Sequence, residues 1–182
     1  MSALRRIAFV ILLAAAALAP AQQDEPANGV LLVAGPELDD PNFGRSVVLV
    51  TQTRDGHTLG VILNKPTPAR HEGRPLWFGG PVMARSVVAL FAAEAAPPAA
   101  AFHVLKNVYL SMHPQNLAAL LGGRSASYRL YSGFAAWAPG QLEGEFGRDA
   151  WHVLPADVAL LFREDTTELW EELLAKAAEP KT

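Results

Sequence analysis

The residues of this 182-residue chain with the means to do chemistry fall into a few short groups. In the first, Arg45 follows Asp39, Asp40 and Asn42. A planar guanidinium suits either an anionic ligand or an internal ion pair with the two aspartates beside it, and an acidic loop favours the internal pair. In the second, Asn64 and Lys65 precede Pro66. An amide that faces both ways can hold a ligand or bond its own turn, and the proline favours a turn in which the strand stops. In the third, Trp137 precedes Pro139, Gln141 and Glu143. An aromatic ahead of a helix start is a hydrophobic staple or, if exposed beside free helix N–H groups, a contact platform. Glu143 in that first turn suits the helix dipole. Asp40, Asn42, Arg45, Asn64, Lys65, Trp137, Gln141 and Glu143 therefore form the candidate binding surface. If they serve one site, their three loops must meet in space.

Other chemistries find less support. Gly79-Gly80-Pro81 lacks the Lys and Ser/Thr of a phosphate-binding loop, and no helix clearly follows it. His57, His71, His103, His113 and His152 show no metal-ligand spacing, so core, surface or capping roles are their default. No nucleophile elbow surrounds Ser46, Ser111 or Ser132. The chain has no cysteine, which removes thiol catalysis, thiolate zinc sites and disulfides. No motif implies a metal or a cofactor. A cryptic hydrolase or isomerase near Asp40, Arg45 and Asn64 stays open as an alternative, and it requires a pocket of converging polar groups.

The elements that must position these residues are mostly strands. Residues 30–34 form a short apolar run stopped by Gly35-Pro36, and residues 46–51 and 58–63 are apolar and rich in β-branched side chains. Arg54-Asp55-Gly56 supplies a turn between the last two, which predicts a hairpin. Runs without polar alternation predict strands covered on both faces. Residues 76–78, 87–91, 102–110, 128–131 and 151–154 continue the series, with the alanine-rich segment 92–101 as a loop because Pro97-Pro98 forbids a helix. Helices are predicted over 114–121, 139–146 and the C-terminal stretch. There Asp165 and Glu168 suggest a capping box, and Leu169, Trp170, Leu173, Leu174 and Ala177 make one apolar stripe. Strands running early without alternating helices predict an α+β fold.

Taken together the motifs resemble the YqgE/AlgH family. Asp40-Pro41-Asn42-Phe43-Gly44-Arg45-Ser46-Val47-Val48 is similar to its first signature, Gly60-Val61-Ile62-Leu63-Asn64-Lys65-Pro66 to its second and Phe78-Gly79-Gly80-Pro81-Val82 to its third. Residues 133–143, around Trp137, resemble the fourth, followed by Trp151, Pro155-Ala156-Asp157 and Leu161-Phe162. The order covers residues 29–177. The resemblance implies a single α+β domain with a strongly bent, partly barrel-like mixed or antiparallel sheet and peripheral helices. It implies no established enzymatic activity, and a transcription-regulator label attaches to some members. Ala136 and Ala138 depart from it by replacing glycines, which would strain a backbone that needed positive φ there. The stretch 66–79 is short and lacks a small helix expected of relatives. A leader is a further departure, since such proteins usually look cytoplasmic.

That leader is read from Arg5 and Arg6, the uncharged apolar run 7–18 and the small residues of Ala19-Pro20-Ala21. Cleavage is expected after Ala21, with an uncleaved anchor as the alternative. Residues 1–21 are thus a signal peptide, 22–28 a polar tether, 29–178 the domain and 179–182 a tail. The mature chain is expected to be exported, periplasmic or extracellular, without a membrane span, because the apolar run falls short of the ~20 residues that spanning takes. At 51% hydrophobic and 18% charged the chain can bury a core. Its net charge of −3 becomes −5 once the two leader arginines go, leaving 13 basic and 18 acidic residues. With no basic stripe, that balance weighs against nucleic acid as a partner. The functional expectation is a non-catalytic binding or regulatory module with a protein or small-molecule partner. The regulator label is the alternative that leader and charge disfavour.

Overall fold

Backbone pairing organises the chain around one long strand. A computed structural model describes residues 28–123 and 127–179. The leader, most of the tether and nearly all of the tail lie outside the described residues. Strands β1 (Val30–Ala34), β2 (Val47–Gln52), β3 (Thr58–Ile62), β4 (Pro66–His71), β5 (Arg74–Phe78) and β6 (Val82–Ala92) come first. Then follow β7 (Phe102–Leu105), β8 (Val108–Ser111), helix α1 (Pro114–Gly122), β9 (Tyr128–Trp137), α2 (Gln141–Phe146), β10 (Trp151–Pro155), α3 (Val158–Leu161) and α4 (Leu169–Ala178). The ten-stranded sheet runs β10-β1-β2-β3-β9-β6-β8-β7, with the β4–β5 hairpin attached to its side. All pairs are antiparallel except β5 with β9, where Leu76 faces Leu130. The fold is α+β, as the order of elements predicts.

β9 joins two halves of this curled sheet. Its first residues pair with β6, Phe91 opposite Tyr128 through Val87 opposite Ser132. Its last pair with β3, Gly60 opposite Ala135 and Thr58 opposite Trp137. Between these stretches the chain kinks at Gly133, where φ is 68°. A Cβ there would stand 2.4 Å from the carbonyl oxygen of Gly80, and one on Gly80 would stand 2.3 Å from the carbonyl carbon of Phe134. Both positions therefore require glycine. Gly79 completes the join: its N–H donates to Ser132 O and its carbonyl accepts from Ile62 N, each at 3.0 Å. The Gly79-Gly80-Pro81 motif is a splice between backbones.

The strands β1 to β3 are buried on both faces. One core runs from Leu169, Trp170 and Leu173 of α4 through Leu31, Val48 and Ile62 to Val104, Val108 and Leu110 of the β7–β8 hairpin. A smaller cluster of Ala89, Phe91, Leu120 and Leu130 sits under α1. The β2–β3 hairpin turns at residues 53–57, where Thr53 N donates to His57 O at 2.8 Å.

Several elements differ from the sequence reading. Pro66 opens β4 instead of ending a strand. β4 pairs only with β5, and an outer strand tolerates a residue that cannot donate. Glu72 (φ 46°) and Gly73 (φ 77°) make the tight turn between them, of the left-handed kind that suits strand twist. No helix intervenes in residues 66–79, as expected. β9 runs to Trp137, well past residue 131. α2 begins at Gln141, because Gly140 at its N-cap takes φ 81°. α3 was not foreseen; Asp157 caps it by accepting from Ala159 N at 3.0 Å. The expected capping box of α4 does not form. Glu168 makes no side-chain cap bond, and Asp165 instead accepts from Thr167 N at 3.0 Å, one turn too early. Ala136 and Ala138 carry no positive φ, so replacing glycine strains neither. Asn28, assigned to the tether, accepts from Thr51 Oγ1 at 2.6 Å and is fastened to the domain.

Trp170 fixes α4 to the sheet. It is 7% exposed, and its indole N–H donates to Ala34 O at 2.8 Å. Trp170→Ala should lower stability by about 3–5 kcal/mol, the usual cost of emptying a buried tryptophan site. Chemical denaturation reads this as a lower midpoint with an unchanged slope. An unchanged midpoint would show that α4 does not hold the fold.

Candidate functional site

The Asp40 loop is built by its own first residue. Asp40 Oδ1 accepts from Asn42 N at 2.8 Å and from Phe43 N at 2.9 Å. Gly44 N donates to Asp40 O at 2.8 Å. Arg45 then adopts φ 53° and turns the chain into β2. Ser46 donates its hydroxyl to Phe43 O at 2.7 Å, so that serine is spent on the turn. The bonds are those of an Asx-type turn, which an Asp at this position favours.

The second loop is bolted beneath the first. Asn64 Oδ1 accepts from Val47 N at 2.9 Å and its Nδ2 donates to Arg45 O at 2.9 Å. It neither bonds its own turn nor points free to a ligand. Its two ends instead serve the chain where loop becomes strand. Lys65 Nζ donates to Asn42 O at 2.5 Å. Burial depresses the Lys65 ammonium below the usual lysine range, and the Asp40 carboxylate pulls partly the other way.

Arg45 corrects the first expectation. Its guanidinium pairs with Glu171 of α4 and lies over the Trp170 ring, 4.3 Å from the centroid. The neighbouring aspartates do not hold it. Asp40 is committed to its turn, and the positive φ at Arg45 sends the side chain towards α4.

Trp137 is a second correction. It is 3% exposed, inside β9, and so is no exposed platform. Its ring packs 5.5 Å from Phe43 and 6.1 Å, edge-on, from Trp151. Phe43 in turn meets Trp151 at 5.8 Å. Glu145 Oε2 accepts from both indoles, at 3.2 Å from Trp137 Nε1 and 2.7 Å from Trp151 Nε1. One carboxylate oxygen thus orders two buried rings. Gln141 Oε1 accepts from Ala138 N at 3.2 Å and closes the loop before α2. Glu143 is exposed in the first turn of α2.

The three signature loops do converge. Lys65 reaches Asn42, Asn64 reaches Arg45, and Phe43 reaches Trp137. A cleft of about 560 Å³ elsewhere is larger by little than the one formed here, which measures about 530 Å³. Glu37, Asp40, Gln141, Arg148 and Asp149 border it, over Phe43, Trp137 and Trp151. Of the candidate residues Asp40, Trp137 and Gln141 line it; Asn42, Arg45, Asn64, Lys65 and Glu143 do not. Sequence reasoning missed Phe43 as the hinge of the aromatic group, although it sits inside the first signature. It missed Glu145 and Trp151 too, whose relation exists only through α2 and β10.

Four of the remaining candidates for chemistry have structural work. His113 caps α1 by accepting from Gln115 N at 3.2 Å. His103 stacks on Tyr109 at 5.0 Å, and His57 lies 3.1 Å from Asp55 in the hairpin turn. Ser111 donates to Ala100 O and accepts from Asn116 Nδ2, at 2.7 and 2.8 Å. Among the described residues no group of histidine and carboxylate side chains has the geometry to hold a metal.

The geometry defines a class: a single α+β domain with a half-closed sheet whose motif loops lock together at one rim. Residues 31–181 match the AlgH-like family model, and the chain belongs to that family. It is 36% identical over 169 residues to a UPF0301 protein of Streptomyces avermitilis, covering 82% of this chain and 86% of the relative. A UPF0301 protein of Mycobacterium tuberculosis is 35% identical over 185 residues, covering 90% and 88%. In three dimensions the chain is similar to the AlgH protein from Pseudomonas aeruginosa, with a TM-score of 0.69, 25% identity and coverage of 87% and 93%. A Corynebacterium diphtheriae protein superposes with a TM-score of 0.65 at 25% identity, over 86% and 89% of the two chains.

Lys65 gives this site a titration signature. Asp40→Asn removes the charge that partly offsets burial, so the ammonium should titrate lower still. A Lys65 side-chain NMR titration of both forms checks the direction. An unchanged or raised value in Asp40→Asn would show that the loops are not coupled as described.

Proposed function

We propose that this protein is a non-catalytic binding module that acts outside the cytoplasm, and that its ligand enters the cleft between the Asp40 loop and α2. The observation that carries the reading is the convergence of sequence-distant motif loops on one aromatic-floored cleft. Its edge bears Glu37, Asp40 and Asp149 against Arg148, which suits a partner presenting a positive charge beside an apolar group. A lysine- or arginine-bearing segment of a protein, or a small cationic molecule, has that character. Ser46, Ser111 and His113, which an enzyme of the hydrolase type could have used, are engaged in turns and capping, which favours binding over reaction.

Titrating the isotope-labelled protein with short peptides that alternate lysine and phenylalanine tests the cleft. The indole N–H signals of Trp137 and Trp151 should shift saturably, and Asp149→Asn should weaken the binding about threefold or more, as loss of one nearby charge does. Signals that stay still throughout would sink the reading.

The external location rests on the leader-like segment 1–21. No helix among the described residues is long and apolar enough to cross a membrane. Intact-mass measurement on protein from its native cells should find Gln22 at the N-terminus. A soluble cytoplasmic pool that retains Ser2 would overturn export while leaving the cleft reading untouched.

A further inference from the structure

At a second cleft, lined by other residues, Arg129 is a buried cation with no carboxylate partner among the described residues. It is 7% exposed. Its guanidinium lies over the Trp77 ring at 4.1 Å. Nη1 donates to Leu63 O at 3.3 Å and Nη2 to Arg163 O. Both acceptors are neutral carbonyls. The neighbouring arginine does have an acid: Arg163 binds Glu172 through both nitrogens, at 2.5 and 2.8 Å. Burying a charge is costly unless an opposite charge or full hydrogen bonding offsets it. The fork also retains N–H donors that the two carbonyls do not use.

This cation borders open space. The cleft of about 560 Å³ is walled by Arg74 and Trp77 of β5, Tyr128 and Arg129 of β9, and Phe162 and Glu164 beyond α3. Arg74 is exposed at its mouth, its guanidinium 5.9 Å from the Tyr128 ring. The Tyr128 hydroxyl is shielded from solvent and has no hydrogen-bond partner among the described residues. Burial pushes the Tyr131 hydroxyl up to about 12, with nearby Arg129 pulling the other way. In a chain of net charge −3, two arginines on one cleft are a local reversal of sign, and the exposed Glu164 only partly offsets it.

We propose that this cleft is a second binding site, which takes a small aromatic oxyanion: a carboxylate or phosphate received by Arg129 and Arg74, with its ring against Trp77 and Phe162. Guanidinium forks match planar and tetrahedral oxyanions in paired hydrogen bonds, and the aromatic walls suit a ring-bearing ligand. A role for Arg129 confined to joining β9 to the carbonyls of residues 63 and 163 predicts no ligand response.

The test uses benzoate and phenyl phosphate as probes on the full chain, read through the Nε–H signals of Arg129 and Arg74. Saturable shifts at both arginines are expected, and the tighter of the two probes identifies the head group. Arg74→Gln should weaken binding about tenfold, the usual loss for a charge-assisted hydrogen bond. Glu164→Gln should tighten it by removing a like charge at the mouth. Both substitutions lie on exposed positions, and unchanged melting temperatures of the unliganded variants verify the fold. Shifts that never saturate, affinities equal in all forms, or acetate and inorganic phosphate binding as tightly as the ring-bearing probes would each overturn the proposal.

Discussion

Everything on the signature rim depends on a contact between two backbones at Gly80 and Gly133. A sheet of this many strands must either twist apart or curl, and curling needs a strand that serves both halves. β9 does so only because its kink brings it against the Gly79-Gly80 segment with no side chain between. From that join β3 is held on one side and β6 on the other. The ends of β2 and β3 then lie side by side, and Asn64 can reach both Val47 and Arg45. The motif that looked most like a phosphate cradle is the seam of the fold.

The same join explains why the conspicuous polar residues are not free. Asp40, Asn64, Lys65 and Gln141 each satisfy backbone groups that the bend would otherwise leave unpaired. A buried donor or acceptor without a partner costs about 1–3 kcal/mol, so the part-buried bonds of Asp40, Asn64 and Lys65 hold these loops in place. What they leave open is the cleft beside α2. Its floor is fixed by three aromatic rings and a shared carboxylate oxygen. A pre-formed site loses little freedom when it receives a ligand.

Most strands were legible because their residues are apolar and β-branched, and periodicity reports burial directly. The fold class followed from element order, and the family from motif order. β4 was illegible for the same reason that β1 to β3 were clear: with Pro66, Pro68, Arg70 and His71 it has no apolar pattern, and it exists because β5 offers it a partner. The length of β9 was hidden by Gly133, which in most strands signals an end. The site was half legible. Asp40, Asn64 and Trp137 announced themselves by type, yet their partners lie far along the chain. No spacing rule connects Arg45 to Glu171, or Trp137 to Glu145 and Trp151. Arg129 gave no signal, because an arginine in a strand is ordinary until its surroundings are known.

The outer strand of the side hairpin bears on how the protein keeps its own company. An unpaired strand edge is a template on which a second chain can build. β4 presents Pro66 and Pro68, which have no N–H to offer, and its pairing is irregular between Pro66 and Arg70. The charge of Arg70 lies on the same short edge. A copy of this protein approaching that edge meets missing donors and a bent ladder. Self-association by sheet extension is therefore opposed along β4.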